Sequence, residues 1–97
     1  MAQGSMKAPL AISKRFNYTN IPITTLSGGG VYYCPAGSRS IAVAGYTAIG
    51  VSICDWDSLA SNVLPYIAQS TQTLGFMADV SQTVGGLDVL ITYLRNN

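Results

Sequence analysis

Ninety-seven residues make one domain with a single modest core. Only 9% of them are charged, against about 25% in an ordinary soluble domain, so the 27 Ser, Thr, Asn and Gln residues do most of the solvating. With no His and no Glu, the usual acid and base groups of an enzyme are nearly gone, and a surface so poor in charge implies cover by another chain.

The chain opens on a basic stretch. Lys7, Lys14 and Arg15 precede any acidic residue, while the remainder sets Arg39 and Arg95 against Asp55, Asp57, Asp79 and Asp88, a balance of −2 (two cations minus four anions). Residues 1–17 are therefore expected to be an extended N-terminal arm in front of a body at residues 18–97. Lys7, Leu10, Ile12, Lys14, Arg15 and Phe16 are its partner-binding candidates: the cations suit an acidic protein surface, a membrane or nucleic acid, three charges being too few to choose, and the apolar side chains anchor. The acidic body argues against nucleic acid as a partner. Residues 1–15 hold no continuous apolar run of the secretory type, and no uncharged stretch is long and apolar enough for a membrane helix.

Strand signals then follow in order. Residues 18–26, YTNIPITTL, read as an edge or bulged strand because Pro22 cannot donate to a ladder. The glycines 28–30 permit a tight reversal into the strand VYYC, whose Tyr32 and Tyr33 point to opposite faces. Pro35-Ala36-Gly37 makes the chain reverse or step across the sheet before it returns as IAVAG, residues 41–45. Residues 57–69 give an irregular loop or one helical turn: Asp57 offers a cap and Leu59, Val63 and Ile67 are four apart, but Pro65 breaks a helix. A strand is expected near residues 66–68. Turn signals recur at residues 55–57, at Gly75 and at Gly85-Gly86. In LDVLITYL, residues 87–94, alternation puts Leu87, Val89, Ile91 and Tyr93 on one face. Six to eight short strands punctuated in this way mean an all-β fold, a single antiparallel β-sandwich, jelly-roll-like or Ig-like.

Chemistry is sparse. Asp55-Trp56-Asp57 is the one close carboxylate pair in the sequence; it reads as a turn in which Asp accepts local backbone hydrogen bonds while Trp56 packs nearby, without the Gly and terminal Glu of a calcium loop. Ser27-Gly-Gly-Gly lacks the Lys-Ser/Thr and helix of a phosphate loop. Cys34 has no His to activate it, and with Cys54 it reads as a reduced, small core residue. No catalytic residue, metal or cofactor is expected. Six tyrosines and one tryptophan suit protein contact, or contact with sugar.

At VYYCPAGSRSIAV and LDVLITYLRN the chain resembles the small β-sandwich virion proteins of tailed bacteriophages, both capsid decoration (cement) and fibre-type proteins. The positions that carry the likeness are Tyr33, Pro35, Ala36, Gly37, Ile41 and Val43, then Val89, Ile91, Tyr93 and Leu94, about a third of the chain. Cys34, where an apolar β-branched residue is more usual, and residues 55–65 depart from it. The resemblance implies a non-enzymatic subunit, usually a homotrimer, made in the host cytoplasm and carried in the virion. Its partners would be copies of itself and the major capsid protein or another virion protein. A fibre or spike module binding a host receptor or glycan is the alternative, with Asp55, Trp56 and Asp57 at the contact.

Overall fold

The computed structural model describes residues 8–57 and 62–96. Seven strands account for most of them: β1 (Ala11–Ile23), β2 (Thr25–Leu26), β3 (Tyr32–Cys34), β4 (Tyr46–Asp57), β5 (Val63–Ala68), β6 (Thr73–Ala78) and β7 (Gln82–Arg95). They form two antiparallel sheets, a three-stranded one in the order β1-β7-β4 and a four-stranded one in the order β2-β3-β6-β5. The sheets pack face to face as an all-β sandwich, with no helix among the described residues.

β7 is the spine of the three-stranded sheet because alternation makes one whole face of it apolar. Val84, Leu87, Val89, Ile91 and Tyr93 are all buried, while Leu90 and Leu94 emerge on the opposite face. Fully burying an aliphatic side chain of this kind contributes about 1.5–3 kcal/mol. From the facing sheet, Leu74, Phe76 and Ala78 of β6, with Val63 and Cys34, close the core. The Tyr93 hydroxyl, buried with its ring, donates to the Ile41 carbonyl at 2.6 Å, so the largest core side chain leaves no unmet polar atom.

The N-terminal segment differs from the expected arm. Residues 11–17 are the first half of β1 and pair in continuous register with β7, Ala11 opposite Leu94 through Asn17 opposite Asp88. The cause is strand alternation that the cations obscure. Ile12, Phe16 and Tyr18 turn one face to the core and pack against it, and Lys14 shares their row, opposite buried Ile91. At the sheet's edge Lys14 stays exposed, its ammonium 5.9 Å from the Phe16 ring centre. The boundary between residues 17 and 18 thus falls inside a strand.

Pro22 does lie in an edge strand, as expected, opposite Thr83. Near it Asn20 takes φ 52°, and the pairing of β1 with β7 skips Asn20 and Gly85. Both strands shift their inward parity there, from Tyr18 to Ile21 and from Leu87 to Val84, and pairing resumes with Ile21 opposite Val84. Gly85-Gly86 therefore serves a bend within β7, not a turn.

Turn chemistry between β2 and β3 follows the glycine run. Gly30, at φ 78°, lets Ser27 N donate to the Val31 carbonyl at 2.8 Å. After β3 the chain steps to the other sheet through residues 35–45. The expected returning strand is absent: residues 41–45 form no strand, because Ile41 is buried between the sheets and its N–H donates to the Gln72 carbonyl at 2.9 Å. β4 then carries two register shifts against β7, one between Ala48 and Gly50 and one between Ile53 and Asp55, each inserting one residue. Residues 55–57, expected as a turn or loop, continue β4 opposite Asp88, Leu87 and Gly86. β5 covers residues 63–68, longer than the strand expected there, and the helical turn proposed just before it lies largely outside the described residues.

Candidate functional site

The alternation of β1, β7 and β4 sets Arg15, Asn17, Asp88 and Asp55 on the outer face of the three-stranded sheet, around Asp88. Arg15 Nε donates to Asp88 Oδ2 at 2.7 Å and Asn17 Nδ2 donates to Asp88 Oδ1 at 2.5 Å. Arg15 Nη2 also stands 3.7 Å from Asp55 Oδ2. Asn17 and then Arg15, by hydrogen bonding to the ionised form, hold the Asp88 carboxyl below its ordinary value, and Asp88 in turn raises that of Arg15. The arrangement resembles an anchor more than a reaction centre, since both carboxylate oxygens of Asp88 already accept a side-chain hydrogen bond.

Beside this cluster the end of the sheet is hollowed. Asn17, Thr19, Trp56, Asp57 and Gly85-Gly86 with Leu87 line an open depression of about 290 Å³ that Asp55 and Asp88 also border. Trp56 stands opposite Leu87 near the end of β4 and is 58% exposed. Asp55 is committed locally, accepting from the Trp56 N–H at 2.9 Å. Among the described residues no three His, Cys, Asp or Glu side chains are grouped to hold a metal ion.

The six residues expected to bind a partner through an arm separate. Lys7 lies outside the described residues. Leu10 is exposed at the start of β1, while Ile12 and Phe16 are half-buried against the core and serve the fold. Lys14 is at the edge and Arg15 is in the Asp88 cluster. Of the two cysteines, both free, Cys34 is a core residue and accepts from Arg39 Nη1 at 3.1 Å, whereas Cys54 is exposed at the second bulge of β4. Extrusion of the bulged residue is why Cys54 leaves the core assigned to it.

A second surface was not anticipated. On the outer face of the four-stranded sheet Tyr33, Met77 and Leu64 form one cross-strand row and Tyr66 stands over Gly75 in the next. Tyr33 and Tyr66 meet edge to face with ring centres 6.1 Å apart. The Ala36 N–H donates to the Tyr66 hydroxyl at 3.1 Å, which pins the Pro-Ala-Gly step to this face. Val31, Leu64, Met77 and Ala78, with Asn62 and Asp79, border an apolar groove of about 220 Å³. Alternation in VLPYIA does give Leu64 and Tyr66 one face, but Pro65 between them hides the strand.

Deeper in, the Tyr18 hydroxyl is buried with no hydrogen-bond partner among the described residues, and burial pushes its phenol above the ordinary value. Among the described residues, Leu10, Leu26, Ile49, Trp56, Leu64, Val80, Leu90 and Leu94 are the large apolar side chains left exposed. Comparison of the chain with protein-family models, curated proteins and solved structures found no match.

Proposed function

We propose that the protein is a non-enzymatic structural subunit that works by covering a protein surface, a decoration or cement subunit on the head of a tailed phage. One observation carries the first part of this reading: eight large apolar side chains are exposed among the described residues of a chain with nine charged residues. Scattered apolar residues are ordinary on a surface, but here Leu26, Ile49, Leu64, Leu90 and Leu94 stand exposed on strands of both sheets, on a chain in which only 9% of residues are charged. The virion role rests on the resemblance in VYYCPAGSRSIAV and LDVLITYLRN. A subunit that binds only the assembled shell stabilises it by mass action.

The test is co-sedimentation of the purified chain with heads of the cognate phage that lack it. Saturable attachment that raises the temperature at which heads open supports the reading. Failure to attach at saturating protein overturns it.

The exposed Trp56 above its depression favours a second reading, a fibre or spike module that contacts a host receptor or glycan. An indole face flanked by carboxylate and amide groups suits the apolar face and hydroxyls of a sugar. Under that reading Trp56→Ala abolishes binding to host cells and leaves attachment to the particle intact.

A further inference from the structure

An exposed strand edge is a template for another strand, and folded proteins blunt their edges with Pro, Lys, short length or inward-pointing charge. Three of the four sheet edges here are blunted in such ways. β2 has two residues, β5 contains Pro65, and β1 carries Pro22, Arg15 and the inward-row Lys14. β4 is the exception: twelve residues long, without Pro, and uncharged from Tyr46 to Cys54.

Part of that edge is closed by side chains. Gln72 Oε1 accepts from the Ala48 N–H at 2.8 Å and Gln69 Nε2 donates to the Ala48 carbonyl at 3.0 Å, so two glutamines stand where a neighbouring strand would pair. The bulges lie on either side of residues 50–53, and between them the run is regular: Val51 and Ile53 face inward opposite Ile91 and Val89, and Ser52 faces outward opposite Leu90. Among the described residues no strand pairs with the far side of this run.

We propose that the run 50–53 of β4 pairs antiparallel with the same run of a second copy, about a two-fold axis normal to the sheet at Ser52, so that Val51 of one copy stands opposite Ile53 of the other. The two three-stranded sheets then become one of six strands, in the order β1-β7-β4-β4-β7-β1. Charge selects both the partner and the register. A two-fold at Ser52 puts Asp55 of one copy six residues, roughly 20 Å, along the strand from Asp55 of the other, at about 3.4 Å per residue. A slip that brought the two together would set like charges directly opposite, which is unfavourable. The same register keeps Val51 and Ile53 on the core side in both copies, and it brings the exposed Ile49 and Leu90 of each copy toward the junction. A two-fold pair replaces the trimer that the phage resemblance implies. It does not depend on the proposed function, because association is measured on the isolated protein.

The experiment is sedimentation equilibrium of the full chain, compared with Ser52→Lys and Ser52→Glu. Ser52 is exposed, so neither change threatens the core, and each puts like charges near the axis. The wild type is expected as a monomer–dimer equilibrium. Each variant alone should dissociate at least tenfold more readily, about 1.4 kcal/mol, and an equimolar mixture of the two should recover dimer, because the Lys of one copy then meets the Glu of the other. Ser13→Lys, on the same face but in β1 at the far edge of the sheet, should leave the equilibrium unchanged. A monomer throughout, a trimer, a dimer indifferent to both Ser52 changes, or a mixture that stays monomeric would each overturn the proposal.

Discussion

The two outer faces of this sandwich solve the same problem with different physics. Over the three-stranded sheet, Arg15, Asn17 and Asp88 form a hydrogen-bonded ionic cluster open to water. Over the four-stranded sheet, Tyr66 lies so close to Gly75 that a methyl group there would come within 2.3 Å of its ring, and the Tyr66 hydroxyl holds the Pro-Ala-Gly step. Exposed ion pairs are typically worth well under about 1 kcal/mol. Close packing, in contrast, charges the full cost of any atom added or removed. The first face therefore tunes stability with conditions, and the second fixes geometry.

The harshest way to break the comparison is to remove one face's support. Deleting residues 1–15 takes away Arg15 and the first five residues of β1, and with them half-buried Ile12 and the pairing to residues 90–94 of β7. Lost ladder bonds at about 1 kcal/mol each and the lost burial of Ile12 add to roughly 3 kcal/mol or more. At roughly 4–8 °C per kcal/mol for a domain of this size, the melting temperature should drop by on the order of 15 °C or the cooperative transition should disappear. Differential scanning calorimetry decides it. A truncated chain that melts with the full one would mean residues 11–15 are a detachable arm after all.

On the other face the informative change adds one carbon. Gly75 has no positive φ, so alanine is compatible with its backbone, but the new methyl group must displace the Tyr66 ring. That breaks the bond from the Ala36 N–H and the contact with Tyr33. Gly75→Ala should cost about 2 kcal/mol, as overpacking commonly does, read as a lowered urea midpoint with an unchanged slope. The cost should shrink to a few tenths of a kcal/mol in a Tyr66→Ala background, the signature of a pairwise contact in a double-mutant cycle. Equal costs in both backgrounds would show that Gly75 is needed for some reason other than Tyr66.

Much of this was legible in the chain, where local pattern and tertiary structure agree. Leu87, Val89, Ile91 and Tyr93 alternate and are buried; Gly30 takes the positive φ expected in its run; Tyr32 packs against the core while Tyr33 faces out. The misread segments are those where a residue type signals one thing and its place in the sheet requires another. Lys14 and Arg15 look like a solvated tail until β7 pairs with them. Asp55 and Asp57 are turn formers, yet register with Asp88 and Gly86 keeps them in β4. Gly75 resembles a turn glycine and is a gap filled by Tyr66. Asp88 illustrates the limit best: nothing near it in sequence foretells Asn17 or Arg15, which lie 71 and 73 residues away.

The smallest expected effect separates the two faces by pH. Because hydrogen bonds from Asn17 and Arg15 depress the Asp88 carboxyl below its ordinary value of 3.8 in the folded chain, folding favours its ionised form. That contribution is fully present above the ordinary value and disappears as pH falls through the depressed one. Asp88→Asn, which keeps the shape and removes the charge, should therefore be slightly less stable than the wild type at neutral pH, and the gap should close in acid. Added salt at neutral pH should narrow the gap as well, since the cluster is open to solvent. Gly75→Ala carries no titrating group, so its deficit should persist across the same range. Urea midpoints for the three proteins at neutral pH and well below 3.8 give the answer. If the Asp88→Asn gap held constant through acid, the ionised cluster would contribute nothing to folding, and both outer faces would be matters of packing.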